Sequence, residues 1–295
     1  SVDWDTSLMK EITLGTNGAV NSGVTTADVK RLSNTTVTHG YNALALSLDG
    51  TTLWASDQGA GRNIYRLDLA SGNVTTFTNA WNFQTPGYGD WAPGYLAGTG
   101  LIGGAVNPQD GLYYAYNYLT GYLYAFHTSG PDIGKAVGLV GRINITSNGL
   151  NGQNVSDIAF DKAGNLFFTA NTNSGKHSLY RVTGPISSTS GAQTLVPQLV
   201  SATVLNNSSS IGSLAFGSNG NLYLGTSTVS PQIQELNPAN GQVVTSTGSA
   251  FPIGGLPVDF ASCSTPSTLT VEKVIVDRFG STDQFTYGVA GGNLS

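Results

Sequence analysis

Asp157 and Asp259 hold the same place in two similar runs, "VSDIAF" and "PVDFAS", and Asn42 precedes a third, "ALALSL". If the runs are equivalent strands around one axis, two carboxylates and an amide oxygen converge there. Such oxygens suit calcium, and a cation held this way would support metal-dependent hydrolysis in a central channel. Asp and Asn also bond neighbouring backbone or cap exposed strand ends, so a purely local role stays open for all three.

A second constellation is the stretch "WNFQTPGYGDWAPGY". Trp81, Phe83, Tyr88, Trp91 and Tyr95 are separated by Gly and Pro, and Asp90, Asn82 and Gln84 lie among them. Flat apolar rings with polar neighbours can stack on sugars, which makes a glycan-binding loop one reading. The other is packing between strands or at a subunit contact, where aromatic rings also dominate. His39, His127 and His177 fall at non-equivalent places, and no Ser or Cys has a recognisable nucleophile elbow, so triad chemistry has no support. "SLDGTTLW" comes near the Asp-box turn of sialidase propellers, but its Gly and Thr are out of register. Arg31, Arg62, Arg66, Arg142, Arg181 and Arg278 form no cluster for a substrate carboxylate.

The elements that must position these residues repeat along the chain. "LALSLDGTTLWASD", "IGGAVNPQDGLYYAYN", "VSDIAFDKAGNLFFTAN" and "IGSLAFGSNGNLYLGTS" each read as a strand, a polar turn with Gly, and an aromatic or Leu-rich strand. Their turn glycines, Gly50, Gly111, Gly164 and Gly220, lie 61, 53 and 56 residues apart. That interval is too long for a solenoid coil and suits four-stranded propeller blades. Third strands begin near Asn63, Gly121, His177 and Gln232; "NVTTFTN" and "QVVTSTG" supply fourth strands. "GLPVDFAS" is a first strand without a following hairpin, and the first 40 residues hold β-like runs without a first strand.

The expectation is an all-β propeller of five blades over residues 1–263, closed by both termini. Six blades are expected if residues 78–100 hide another. The run from Thr25, "TTADVKRLS", is expected to form at most a turn or two of helix.

Beyond the ring lies "TLTVEKVIVDRFGSTDQFTYGV", read as a C-terminal hairpin within residues 264–295. With the "PVDFASC" junction before it, this segment resembles bacterial surface proteins in which a propeller-like domain precedes prealbumin-like or pilin-like β-sandwich modules. The resemblance implies a secreted or surface-displayed structural or adhesive protein. It also sets Lys273, in "VEK", where such modules can form an isopeptide bond to a late Asn; no such late strand follows in this sequence. A two-stranded ribbon is marginal alone. It is therefore expected to fold back on the propeller, to belong to a longer protein, or to pair with a neighbouring subunit through Leu269, Val271, Lys273, Ile275, Phe285 and Tyr287 and build a filament.

Composition narrows the classes. Charged residues are 10% of the 295, against roughly 25% in ordinary domains. Yet 39% apolar residues, with 11 Phe, 4 Trp and 13 Tyr, supply a core. The net charge of −5 and the absence of a basic run argue against nucleic acid and anionic lipid as partners. The single Cys263 excludes an internal disulfide, and no apolar run is long enough to span a membrane. The start at Ser1 reads as a mature product whose export signal has been removed.

Taken together, these readings predict a non-catalytic exported surface subunit without a required cofactor. A glycan-binding propeller comes second and a metal-dependent hydrolase third, with calcium the candidate ion. The expected partners are neighbouring subunits and surface glycans.

Overall fold

The computed structural model describes residues 2–3, 8–13, 25–31, 41–57, 62–80, 101–117, 121–143, 155–171, 176–186, 188, 193–205, 211–226, 233–246 and 257–264. Every regular element of any length among them is a β-strand, and the strands make a β-propeller arrangement. Strands β1 (Val2–Asp3), β2 (Leu8–Thr13) and β3 (Thr25–Arg31) open the chain. The first blade contiguous in sequence is β4 (Tyr41–Leu46), β5 (Thr52–Asp57), β6 (Ile64–Asp68) and β7 (Val74–Phe77). The next comprises β8 (Leu101–Val106), β9 (Tyr113–Asn117), β10 (Tyr122–Phe126) and β11 (Ala136–Ile143). Then come β12 (Val155–Phe160), β13 (Leu166–Asn171) and β14 (His177–Val182).

Strand β15 (Gln193–Leu195) turns back to pair in parallel with β11, and β16 (Gln198–Leu205) completes the β12–β14 sheet. The last contiguous blade is β17 (Ile211–Phe216), β18 (Leu222–Thr226), β19 (Ile233–Leu236) and β20 (Val243–Ser246). Strand β21 (Pro257–Asp259) joins the sheet of β1–β3, with Val2 opposite Asp259. Four blades thus run within single stretches of sequence, and one further sheet combines strands from both parts of the chain.

The hairpin turns follow the sequence. Gly50, Gly111, Gly164 and Gly220 all have positive φ, between 71° and 86°, the region a side chain disfavours. Polar side chains bridge these turns, as where Asp49 accepts from the Ser47 and Thr51 hydroxyls. The segment from Thr25 departs from expectation: it is strand β3, paired with β2 from Leu8–Arg31 to Thr13–Thr25. A continuous ladder outweighs the weak helix tendency of so short a run.

The core lies between blades, because alternate residues of a strand face opposite neighbours. Tyr113 and Ala115 pack with Trp54 and Ile64 of the preceding blade, while Tyr114 and Tyr116 pack with Phe160 and Phe168 of the following one. Trp54 stacks between Phe77 and Tyr113, each with ring centroids 6.1 Å away. The next interface holds Phe167 edge-on to Phe216 at 5.4 Å. Blades buried on both faces explain why second and third strands are almost continuously apolar. No helix among the described residues is long and apolar enough to cross a membrane.

Candidate axial site

The first strands adjoin one another in the order β4, β8, β12, β17, β21 and back to β4. Each of the four long ones carries a register shift near its start, at Asn42–Ala45, Leu101–Gly103, Val155–Ile158 and Ile211–Ser213. Three residues before the strand's end stand Ala43, Gly103, Asp157 and Ser213, and Asp259 of β21 holds the corresponding place. Bulges leave backbone groups outside the ladder, and buried N–H groups must find acceptors.

The two carboxylates supply those acceptors. Asp157 Oδ1 accepts from Ile158 N at 2.7 Å and from Gly104 N at 3.3 Å; its Oδ2 accepts from Leu214 N at 2.6 Å. Asp259 Oδ2 accepts from Leu44 N at 2.5 Å. The donors are the residues that follow the axial position in four successive blades. Small residues at the other three axial positions leave room for the carboxylates. A Cβ on Gly104 would lie 2.1 Å from the Ala43 carbonyl oxygen, so close backbone approach requires glycine there. Ala43 itself has φ of 55°, uncommon for a residue with a side chain. Its carbonyl accepts from the buried Tyr113 hydroxyl at 2.6 Å.

Asp157 and Asp259 are wholly buried and in hydrogen-bond contact with each other. Burial pushes the Asp157 carboxyl up to about 7, against the lowering effect of its contact with Asp259 and of three backbone N–H groups. Burial, and then the charge of Asp157, raises Asp259 well above the usual carboxylate range. Two such groups side by side resist ionising together. Burial, followed by the nearby charges of Asp259 and Asp157, raises the Tyr113 phenol as well. Asp259 Oδ1 and Ser213 Oγ are buried and receive no hydrogen bond from a donor among the described residues. Further along the first strands runs a narrow recess lined by Gly104, Ile158, Leu214 and Phe260 together with Ser262 and Ser264; it borders residues that follow the axial positions, and neither carboxyl is among its described lining residues.

Of the three oxygen-bearing residues singled out in the sequence, the structure brings Asp157 and Asp259 together. Asn42 does not join them, because its Oδ1 accepts from the following N–H, of Ala43, at 2.9 Å. Sequence reasoning missed Tyr113, Gly104 and Ser213. Aligning "IGSLAF" with "VSDIAF" would have placed Ser213 level with Asp157. His177 is buried on β14, a third strand, and Cys263 is exposed. The aromatic stretch Trp81–Tyr95 and the assembly candidates Leu269, Val271, Lys273, Ile275, Phe285 and Tyr287 lie outside the described residues, as do His39 and, of the 78–100 stretch that could hold a sixth blade, residues 81–100.

The residues present do not fit a calcium ion, which takes six to eight oxygens. Both lone pairs of Asp157 Oδ1 are occupied by N–H donors, Asn42 is turned to backbone, and no group of three His, Cys, Asp or Glu suited to a metal exists among the described residues.

No protein-family model and no curated protein matches the sequence. Solved structures do match in fold. One is a gluconolactonase from Xanthomonas campestris, at 18% identity and a TM-score of 0.46 over 88% of this chain and 77% of that one. A calcium-binding regucalcin from Agrobacterium tumefaciens matches at 11% and 0.37, over 70% and 73%. Hydrazine synthase of Kuenenia stuttgartiensis matches at 15% and 0.42 over 72% of this chain, which spans about half, 51%, of that chain's length. Each is a likeness of fold. The expectation of a non-catalytic structural or adhesive subunit is corrected here: among the matched structures stand a gluconolactonase and a calcium-binding regucalcin. The pilin-like part of the resemblance falls on residues outside those described.

Proposed function

We propose that the chain is a five-bladed, hydrolase-type propeller, closed at the sheet of β1–β3 and β21, with Asp157 and Asp259 as its proton-transfer pair. The observation that carries this reading is the pair itself: two buried carboxyls in contact, both raised, Asp157 to about 7, with Asp259 Oδ1 free of any donor among the described residues. A group that exchanges its proton near neutral pH suits general acid–base work. Among the described residues the recess carries no charged side chain, which favours a small neutral substrate such as a lactone or ester. In the reaction one carboxylate takes a proton from water as its oxygen bonds the carbonyl carbon. The other carboxyl protonates the departing oxygen as the C–O bond breaks, and the shared proton is restored.

The test is proton release from a panel of neutral lactones and esters, followed with the intact protein and with Asp157→Asn and Asp259→Asn. Hydrolysis reduced by about 10²–10⁴ in both variants is expected for lost acid–base catalysis. No hydrolysis by folded wild-type protein, or full activity in Asp259→Asn, overturns the reading.

A further inference from the structure

The axial pair has a direction, and that direction bears on what bridges it. Asp157 accepts three backbone N–H groups, from Gly104, Ile158 and Leu214, and so is placed as the charged acceptor. Asp259, whose carboxyl is in contact with that of Asp157, accepts one, from Leu44 through Oδ2, and its Oδ1 is buried without a hydrogen-bond partner among the described residues. A carboxyl oxygen so placed is satisfied when it carries the proton and donates it, since a protonated carboxyl is donor on one oxygen and acceptor on the other. A divalent cation in the same place would find Asp259 Oδ1 open but Asp157 Oδ1 already holding two N–H groups, and Asn42 supplies no oxygen, too few ligands for calcium.

We propose that the axis of this propeller is closed by a hydrogen bond from the protonated Oδ1 of Asp259 to the Asp157 carboxylate, and takes no divalent cation at that point. The inference concerns what bridges the two residues and holds whether or not they hydrolyse a substrate.

Amide substitution separates the alternatives. In Asp259→Asn, the amide oxygen keeps the Leu44 N–H and the amide nitrogen donates to Asp157 as the carboxyl did. In Asp157→Asn, the amide oxygen can serve Gly104 and Ile158, but the NH₂ then faces the Leu214 N–H, donor against donor. Thermal unfolding of the intact protein and both variants, each with millimolar calcium chloride or with EDTA, reads the difference directly. Asp259→Asn is expected to melt within about 2 °C of wild type and Asp157→Asn roughly 5 °C or more below it, with neither additive moving any curve. Calcium that raises the melting temperature of wild type but not of Asp259→Asn overturns the proposal, as does equal melting of the two variants. Loss of hydrolysis in Asp259→Asn with an unmoved melting curve supports both this inference and the hydrolytic reading. An unmoved curve without any wild-type hydrolysis leaves only the inference standing.

Discussion

Asp259 Oδ2 accepts the backbone N–H of Leu44 at 2.5 Å, across 215 residues of sequence, and so ties the last described strand to the first blade contiguous in sequence. Both residues are buried. Replacing Asp259 by Ala strips Leu44 N of its acceptor and leaves Asp157 without its partner. The loss should be about 3 kcal/mol or more, the cost of orphaning buried groups of this kind. Urea denaturation of Asp259→Ala checks the figure. A midpoint equal to wild type would show that the seam is held by something else.

Acidity acts on the same pair with a definite sign. In the unfolded chain these carboxyls return to the ordinary range, near 3.9; in the folded protein both are raised, Asp157 to about 7 and Asp259 further. The folded state therefore binds the extra proton, and its stabilising effect is fully present below about pH 4 and is lost as pH rises through 7. Exposed Asp49, lowered to about 2 by Ser47 and Thr51, together with half-buried Asp68 and exposed Asp132, also lowered, act oppositely: their contributions fade as pH falls below the ordinary range. Melting temperatures taken from pH 4 to 9 should decline from about pH 4 upward in wild type and lie nearly flat in Asp259→Asn. A flat wild-type profile would rule out the shared proton.

The blades were legible because their signals are local: a Gly turn, alternating apolar faces and aromatic second strands recur where "DGTTLW", "NGNLYL" and their kin stand. The axial pair was half legible. Asp157 and Asp259 are visible as equivalent polar residues in otherwise apolar runs, but the role of each depends on N–H groups delivered by other blades. Leu44 and Leu214 carry no sign in their side chains that their amides will point at a carboxylate. Asn42 misled for the same reason. Its type suited a ligand, while its contact with Ala43 N is settled by the bulge and by the unusual φ of Ala43.

Tyr113 tests how far the pair depends on its surroundings. Its hydroxyl is buried and donates to the Ala43 carbonyl at 2.6 Å, so Tyr113→Phe removes one hydrogen bond while the ring still stacks on Trp54. The expected cost is about 1–2 kcal/mol. Because the hydroxyl proton is directed to Ala43 and not to the carboxyls, the pH midpoint of the decline in stability should stay where it is in wild type. A displaced midpoint would mean that Tyr113 is itself part of the proton-sharing set.

Glycine at the axis answers to space, and glycine at a turn answers to conformation; two substitutions separate the effects. A Cβ at Gly104 would lie 2.1 Å from the Ala43 oxygen and 2.9 Å from its Cα, both backbone atoms that cannot turn aside. At Gly111, φ is +71° and nothing lies within 4 Å of the added carbon. Gly111→Ala should therefore cost about 1–2 kcal/mol, the penalty for a left-handed residue with a side chain. Gly104→Ala forces two first strands apart and breaks the Gly104 N–H contact to Asp157, a change in the class that exceeds about 4 kcal/mol. Chemical denaturation of the two variants side by side measures this difference. Equal losses would mean that β4 and β8 can separate at the axis without disturbing the carboxyl pair between the blades.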